Sequence, residues 1–297
     1  MSGLGRVLIV GAAGQVGREL QRSFAGAGDI FCYTRKEVDL VSEEQVRRMV
    51  RETAPEIILN AAAYTAVDRA ESEPELAMAI NARAPRILAE EAASRSALLV
   101  HYSTDYVFDG TKEGPWIETD VPNPLNVYGM TKLAGEQAIT TVGGRYLIFR
   151  TSWVYGPHGR NFMLTMLRLG RERDRINVVD DQIGAPTSSI EIADATLKVL
   201  NAISLVKPED WAGIYHMACA GSTSWYGFAN SIFAVANGLQ SPTPPLVNPV
   251  SSREYLTAAK RPSNSVLSSA KLDQYFGVRL AFWAVALKSA IEPIPHI

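Results

Sequence analysis

Cysteine is scarce in this sequence, which contains only Cys32 and Cys219 among 297 residues. Both lie in apolar stretches, so we expect two buried thiols and no disulfide framework. No run of apolar residues reaches the roughly 18 that a transmembrane helix requires. A glycine-rich turn begins at Gly11 and leaves no room for a signal peptide before it. These absences predict a cytoplasmic protein without a membrane partner.

A large charge of one sign is also absent, because the formal net charge is -2. Nucleic acids and anionic membrane surfaces attract strongly basic proteins, so we expect neither as a partner. The apolar share of 47% is sufficient for a sizeable core. The length predicts one large or two modest domains.

Short apolar runs alternate with amphipathic stretches through the first half of the chain. This alternation is typical of parallel βαβ units with right-handed crossovers. We therefore predict an α/β fold, a doubly wound parallel (Rossmann) sheet with a smaller C-terminal substrate-binding domain. The predicted boundaries are 1–152 for the NAD(P)-binding Rossmann domain and 153–297 for the mainly substrate-binding region, with segments near 176–200 and 211–220 returning to the Rossmann domain. The stretches "INVVDDQIGAPTS" and "GIYHMACAG" predict strands that rejoin the sheet, and the proline-rich stretch 239–250 predicts a connector.

The stretch "GAAGQVG" follows the first predicted strand, "RVLIV". Gly11 would allow a sharp bend, Gly14 a close backbone approach to a pyrophosphate, and Gly17 close packing of a helix on the strand. Free N–H groups at the N-terminus of that helix would then hold the phosphates. The alternative is a tight turn that needs glycine for packing only.

The second predicted strand ends in "YTRK", which contains no carboxylate. An acidic residue there would bind a ribose 2′-hydroxyl and favour NAD, whereas Arg35 could bind a 2′-phosphate. The pattern therefore favours NADPH and leaves NADH open, and it places Asp39 and Leu40 where they could flank the adenine. The alternative is that Arg35 is an ordinary surface arginine.

Tyr128 and Lys132 are four residues apart in a predicted helix and so share one face. A nearby ammonium would lower the pKa of the phenol and make it a usable proton donor to a carbonyl under reduction. Ser103, Thr104 and Asp105 follow an apolar strand, at the end where ligands bind in such sheets. Each feature alone also suits a helix core or a strand cap. Their order after the glycine turn is the order that short-chain dehydrogenases require.

Seven stretches of the chain carry a resemblance to a known family, namely "GAAGQVGREL", "NAAAYTAVDRAESEPE", "HYSTDYVFDG", "PLNVYGMTKLAGE", "FRTSWVYG", "DDQIGAPT" and "KRPSNSVL". They resemble, essentially end to end, the dTDP-4-dehydrorhamnose reductases, a family of extended short-chain dehydrogenases/reductases. The resemblance implies an oxidoreductase of dTDP-rhamnose biosynthesis that reduces the C4 keto group of dTDP-4-dehydro-L-rhamnose with NADPH. A small-molecule nucleotide sugar would be its substrate.

The resemblance also implies roles for individual residues. Tyr128 resembles the proton donor of the family, Lys132 its partner that also holds the nicotinamide ribose, and Thr104 the hydroxyl that tunes the tyrosine. Thr104, Asp105 and Trp153 would contact the sugar, although Trp153 could equally be a core indole. The candidate cofactor-binding residues, from the patterns and the resemblance together, are Gly11, Gly14, Gln15, Val16, Gly17, Arg35, Asp39, Leu40, Ala63, Tyr64, Thr65, Tyr128 and Lys132.

Some members of the family are thought to dimerise through a metal ion held by glutamates. One such glutamate would fall near Ile190, where this chain has its acid one place later, at Glu191. Glu19 and Glu292 remain as further carboxylates for such a site. We predict no metal ligands, and we leave both Mg²⁺ and a homodimer open.

Two other functions compete with the reductase. A related lineage of this fold, the regulatory subunit of methionine adenosyltransferase, binds NADP and acts through a partner without catalysis. A regulatory subunit has no need to keep the hydroxyl, phenol and ammonium together, and this chain has all three. An NDP-sugar epimerase would retain a tightly bound NAD between half-reactions, whereas a reductase must exchange its cofactor.

Overall fold

The computed structural model describes residues 3–203, 211–238 and 244–294. The strands of this part of the chain are β1 (Arg6–Val10), β2 (Asp29–Tyr33), β3 (Ile57–Asn60), β4 (Leu98–Thr104), β5 (Arg145–Thr151), β6 (Val154–Tyr155), β7 (Arg175–Val179), β8 (Ile183–Gly184), β9 (Thr187–Ser188), β10 (Gly213–His216), β11 (Thr223–Ser224) and β12 (Leu246–Val250). Six of them form one parallel sheet in the order β2-β1-β3-β4-β5-β10. The predicted doubly wound parallel sheet is confirmed.

Helices cover both faces of this sheet. They are α1 (Gln15–Ser23), α2 (Glu43–Thr53), α3 (Val67–Ala70), α4 (Pro74–Met78), α5 (Ala84–Ser94), α6 (Val127–Val142), α7 (Phe162–Glu172), α8 (Ser189–Ile203), α9 (Trp225–Gly238), α10 (Ala270–Phe276) and α11 (Trp283–Ile291). A π-helical turn, Ala79–Arg83, joins α4 to α5, and a 3₁₀ turn, Asp105–Val107, follows β4.

Alternate residues of β1 enter two separate cores. Val7 and Ile9 pack into the core on the side of α1 and α8, whereas Leu8 and Val10 pack into the core on the side of α2 and α5. Successive side chains of a strand point to opposite faces, so a strand buried on both faces must be apolar throughout. This explains why the central strands are continuous apolar runs in the sequence.

Capping side chains set where two of the helices begin. Ser42 precedes α2 and accepts a hydrogen bond from the Gln45 N–H at 3.4 Å, as the sequence pattern predicts. Asn126 precedes α6 and accepts from the Gly129 N–H at 2.8 Å. The cap at Asn126 places Tyr128 and Lys132 in the first two turns of α6.

The direction of the strand order changes at β1. The chain passes from β1 to β2 on one side and then crosses to β3 on the other. Ligands of open α/β sheets bind in the crevice outside the carboxyl ends of the strands at such a switch point. We therefore expect the ligand site beside the residues that follow β1, β2, β3 and β4.

The C-terminal half corrects two expectations. β7 and β8 do not rejoin the six-stranded sheet, because β7 pairs with β12 and β8 pairs with β11. The stretch 239–250 is not only a connector, since it contains β12, while residues 239–243 lie outside the described part. β10 is the strand that joins the sheet, and α8 packs against α1. Where the two domains divide stays a prediction.

The third correction concerns Cys32. Cys219 is buried as expected, but Cys32 is exposed. Cys32 lies on β2, which is the edge strand of the sheet and has a neighbour on one side only. Cys32 is therefore exposed because β2 lies at the edge of the sheet, although the residues around it in the sequence are apolar. Both thiols are free.

Candidate functional site

The turn between β1 and α1 requires glycine at two positions. Gly11 has a φ of +82°, and a Cβ there would lie 2.7 Å from the Cα of Ala62 in the neighbouring turn. A Cβ on Gly17 would lie 2.2 Å from the carbonyl oxygen of Gly11. Gly14 precedes α1 without a side-chain cap, and the first turn contains no acidic residue. The N–H groups at this helix N-terminus thus have no side-chain acceptor of their own, which suits a phosphate.

Gln15 and Val16 follow Gly14 in the first turn of α1. The Gln15 side-chain oxygen accepts a hydrogen bond from Asn161 Nδ2 at 2.8 Å, so this turn is tied to the segment before α7. Val16 is partly buried against the core. The glycine turn is therefore linked to the C-terminal half of the chain by a side chain predicted to contact the cofactor.

A cleft of about 260 Å³ opens between the glycine turn and the end of β2. Its lining residues are Ala12, Ala13, Arg18, Gln21, Cys32 and Thr34. The three residues predicted here lie just beyond Thr34. Arg35 is exposed, Asp39 uses its carboxylate to accept from the Val41 N–H at 3.0 Å, and Leu40 packs against the core.

Sequence reasoning missed two charged residues, one that lines this cleft and one that is hydrogen-bonded to Thr34 of its lining. Arg18, on α1, donates from its Nε to the carbonyl of Ala13 at 3.2 Å. Glu37 accepts from the N–H of Thr34 at 2.8 Å and from its hydroxyl. Arg18 directly follows Gly17 and could have been found by its position. Glu37 comes directly after "YTRK", the stretch whose lack of a carboxylate led us to predict NADPH.

The loop after β3 is held by one asparagine of the π-helical turn. Asn81 accepts from the Tyr64 N–H at 2.8 Å and donates to the Tyr64 carbonyl at 3.1 Å. The same amide donates to Thr131 on α6 at 3.0 Å. The Tyr64 phenol donates to Glu73 at 2.5 Å. Ala63, Tyr64 and Thr65 therefore lie in a loop whose backbone is fixed beside α6.

Polar side chains meet where β4 ends. The Thr104 hydroxyl donates to Asp105 Oδ1 at 3.0 Å and accepts from the Tyr106 N–H at 3.1 Å. Burial raises the pKa of Asp105 to about 7, against hydrogen bonds from Ser265 and Thr104 that lower it. The Ser103 hydroxyl is buried and has no hydrogen-bond partner within the described residues.

Tyr128 lies against this cluster, as the sequence predicts. The Thr104 hydroxyl lies next to its phenol, and the Tyr106 ring packs edge-to-face on the Tyr128 ring with centroids 5.7 Å apart. Burial raises the pKa of Tyr128 to about 12, because the effect of burial is larger than the lowering of this pKa by Thr104. The expected net lowering of this pKa is therefore wrong for this structure, because burial outweighs the polar neighbours of the phenol.

Lys132 is buried among groups from two neighbouring strands. Its Nζ donates to the Tyr102 carbonyl at 2.6 Å and lies 3.2 Å from His101 Nε2. The other ring nitrogen of His101 lies 3.0 Å from Asn60 Nδ2. Burial lowers the pKa of Lys132 to about 8. An ammonium has three N–H donors, so donors remain for further acceptors beside the Tyr102 carbonyl.

Trp153 occupies a strained backbone position between β5 and β6. Its φ is +46°, in the left-handed region that bulky residues rarely adopt. The indole stacks on Trp225 with centroids 3.5 Å apart, and a Cβ on Gly184 would lie 2.4 Å from its ring. The structure therefore places Trp153 in a packed aromatic stack, and its contact with a sugar stays a prediction.

The three carboxylates considered for a metal have other partners. Glu191 accepts from the Ala281 N–H at 2.9 Å, Glu19 pairs with Arg22 at 2.8 Å, and Glu292 lies 4.0 Å from Lys288. In the described ranges, no group of three or more His, Cys, Asp or Glu side chains is arranged to hold a metal ion. Nor does any helix there combine the length and the apolar character needed to cross a membrane.

Comparison with known proteins places this geometry in context. The profile described as "RmlD substrate binding domain" matches residues 5–295. The chain is 45% identical over 294 residues to a dTDP-4-dehydrorhamnose reductase of Burkholderia thailandensis, covering 97% of this chain and 99% of that protein. It superposes with a TM-score of 0.90 and 38% identity on a dTDP-4-dehydrorhamnose reductase of Bacillus anthracis solved in complex with NADP, covering 98% and 99% of the two chains. A Thermus thermophilus UDP-glucose 4-epimerase, at 21% identity and a TM-score of 0.76 over 97% and 98% of the chains, shares the fold alone.

Proposed function

The chain belongs to the RmlD substrate-binding-domain family, and we propose that it is an NADPH-dependent dTDP-4-dehydrorhamnose reductase. It reduces the C4 keto group of dTDP-4-dehydro-L-rhamnose and yields dTDP-L-rhamnose. The observation that carries the proposal is that Thr104, at the carboxyl end of β4, lies next to Tyr128 on the helix that also carries the buried Lys132. This is the edge of the sheet at which the glycine turn also lies.

The glycine turn fits a dinucleotide. Gly11 and Gly17 leave no space for a Cβ, and the N-terminus of α1 has no side-chain cap. Gly14, Gln15 and Val16 would hold the pyrophosphate through the backbone, and the loop from Ala63 to Thr65 would line the nicotinamide side. When bound, the cofactor supplies the hydride that reduces C4.

Tyr128 then supplies the proton. With a pKa of about 12 the phenol is protonated at neutral pH, so it can donate to the alkoxide oxygen that develops on C4. Thr104 fixes the direction of the phenol and stands where its hydroxyl can contact the same sugar oxygen. Hydride and proton together convert the C=O group to CH–OH, and Tyr128 is left as a phenolate.

Lys132 stabilises that phenolate and orients the nicotinamide ribose. One of its three N–H donors is directed at the Tyr102 carbonyl, which leaves donors for the open side of the site. A fixed ammonium in a buried site favours the anionic phenolate more strongly than it would in water. Asp105 and Trp153 are proposed to contact the deoxysugar.

The substrate class and the location are part of the same proposal. We place the reaction in the cytoplasm, which the two free thiols support, since disulfides form in oxidising compartments. Light scattering over a range of protein concentrations would decide whether the protein forms the homodimer that the resemblance leaves open.

A coupled assay tests the function. NADPH oxidation is followed optically while the keto-sugar nucleotide is generated in situ. Tyr128→Phe should lower kcat by about 10²–10⁴-fold, the usual contribution of a positioned proton donor, while NADPH still binds. Tyr275→Phe, at an exposed tyrosine on α10, is the matched control. Substrate-independent oxidation only, or an unchanged rate in Tyr128→Phe, would refute the assignment.

A further inference from the structure

A row of three buried polar side chains runs from β3 through β4 to α6. Asn60 Nδ2 lies 3.0 Å from His101 Nδ1, and His101 Nε2 lies 3.2 Å from Lys132 Nζ. The three residues are 1%, 0% and 1% exposed, so their hydrogen bonds must be completed inside the protein. The proposed reaction uses Lys132 but gives no task to His101 or Asn60.

The Asn60 amide determines where the imidazole of His101 carries its proton. The Ala62 N–H donates to Asn60 Oδ1 at 3.3 Å, so the amide presents its NH₂ group to His101. An amide nitrogen only donates, and His101 Nδ1 must therefore accept. Burial and then the charge of Lys132 hold the pKa of His101 well below its usual value, so the imidazole is neutral. Its single proton then lies on Nε2, the nitrogen that faces Lys132.

Lys132 can match an Nε2–H donor in only one of its two forms. An ammonium has three donors and no acceptor, whereas the uncharged amine has a lone pair. The amine can accept from His101 and still donate to the Tyr102 carbonyl at 2.6 Å. The ammonium keeps the bond to Tyr102 but faces His101 donor against donor. The row therefore stabilises the amine relative to the ammonium.

The charged groups near Lys132 come from α6, β5 and the 3₁₀ turn. Glu136, one turn along α6, raises the pKa of Lys132, and it is itself bound to Arg150 of β5. Asp105 on the 3₁₀ turn raises the pKa of Tyr128, which is protonated at neutral pH. Glu136 is therefore the charge that favours the ammonium, and burial opposes it.

We propose that His101 is a positioning residue that presents its Nε2–H to Lys132 and, held in this tautomer by Asn60, favours the uncharged amine. The inference rests on the proposed function, in which the Lys132 ammonium stabilises the Tyr128 phenolate. The row then helps to set the pH at which the ammonium is lost, and with it the alkaline limit of activity. His101 does this without contact with substrate or cofactor.

NMR of the protein labelled with ¹⁵N-histidine identifies the tautomer directly. The chain has four histidines, and the signal of His101 is assigned by its loss in His101→Phe. His101 should be in the Nε2–H form on both sides of the Lys132 pKa of about 8. The Nδ1–H form in the unmodified protein would overturn the inference.

Asn60→Asp reverses the row with a side chain of the same shape. A carboxylate only accepts, so His101 should donate to it from Nδ1 and turn the lone pair of Nε2 to Lys132. The ammonium then has an acceptor, and the alkaline limit of activity should rise by about one pH unit. Asn230→Asp adds the same charge at an exposed position on α9 and should leave this limit unchanged.

The two measurements together separate the row from a simple effect of charge. A higher alkaline limit in Asn60→Asp with His101 still in the Nε2–H form would show charge alone and overturn the inference, as would a changed tautomer with an unchanged limit. If Asn60→Asp does not fold, the tautomer of the unmodified protein decides. If the unmodified protein oxidises no NADPH with the keto-sugar nucleotide, the proposed function is overturned, while the tautomer still confirms or overturns the arrangement of the row.

Discussion

Glu136 and Arg150 form a buried ion pair behind the catalytic helix, and its removal should unfold the protein at markedly lower denaturant concentration. Arg150 Nε donates to Glu136 Oε1 at 2.9 Å, and its terminal nitrogen donates to Oε2 at 2.6 Å. Both side chains are 2% exposed. Glu136 lies on α6, one turn beyond Lys132, and Arg150 lies on β5. The pair therefore fastens the catalytic helix to the sheet.

Glu136→Gln would leave the Arg150 cation buried without a counter-charge. Breaking such a pair on one side costs about 3–5 kcal/mol of the free energy of unfolding. For a chain of this size that corresponds to a Tm lower by about 5–8 °C. The Glu136 charge also raises the pKa of Lys132, so its loss should lower that pKa further and reduce activity at alkaline pH.

Urea unfolding followed by tryptophan fluorescence measures this cost. Glu172→Gln is the control, since its pair with Arg168 is exposed and should contribute less than about 1 kcal/mol. The double variant Glu136→Leu with Arg150→Met should recover most of the stability, because no buried charge is then left unpaired. A loss below about 1 kcal/mol in Glu136→Gln would refute the assignment of this pair as the fastening of α6.

Three further outcomes are expected. Activity should fall as pH rises through about 8, because Lys132 then loses the proton that makes it a donor and a positive charge; a pH–rate profile that stays flat to about pH 10 would contradict this. Gly17→Ala should raise the Kd for NADPH by about tenfold or more, since its Cβ would lie 2.2 Å from the Gly11 carbonyl oxygen and force the turn and α1 apart; fluorescence titration measures it, and unchanged binding would count against the glycine turn as the cofactor site. Chelation with EDTA should leave NADPH oxidation unchanged, because Glu19, Glu191 and Glu292 have other partners; a loss that Mg²⁺ restores would show a metal requirement.

The first half of the fold was predictable because its signals are local. Each central strand is an apolar run, and the cap of α2 follows from Ser42 and its spacing to Gln45. The strand pairing after β5 was harder to predict, since β7 pairs with β12, which lies about seventy residues later in the sequence. No local pattern distinguishes a strand that joins the main sheet from one that pairs elsewhere.

The catalytic side chains were predictable, but their partners were not. Tyr128 and Thr104 meet as expected, since a strand end and a helix start are both readable from sequence. The contacts of Lys132 with His101 and the Tyr102 carbonyl depend on how α6 lies across β4, which spacing alone does not specify. Glu37 was missed for a similar reason, because its carboxylate turns back onto Thr34.

Burial moves Tyr128 and Lys132 towards their uncharged forms, and this suits a reduction. The raised pKa of Tyr128 keeps the proton on the phenol until a more basic alkoxide appears on the substrate. The lowered pKa of Lys132, about 8, still leaves most of the ammonium charged at neutral pH. Once the phenol has given up its proton, the two groups become opposite charges in a buried site, and each then favours the charged form of the other. The site therefore favours the neutral phenol before hydride transfer and the phenolate–ammonium pair after it, without any movement of the backbone.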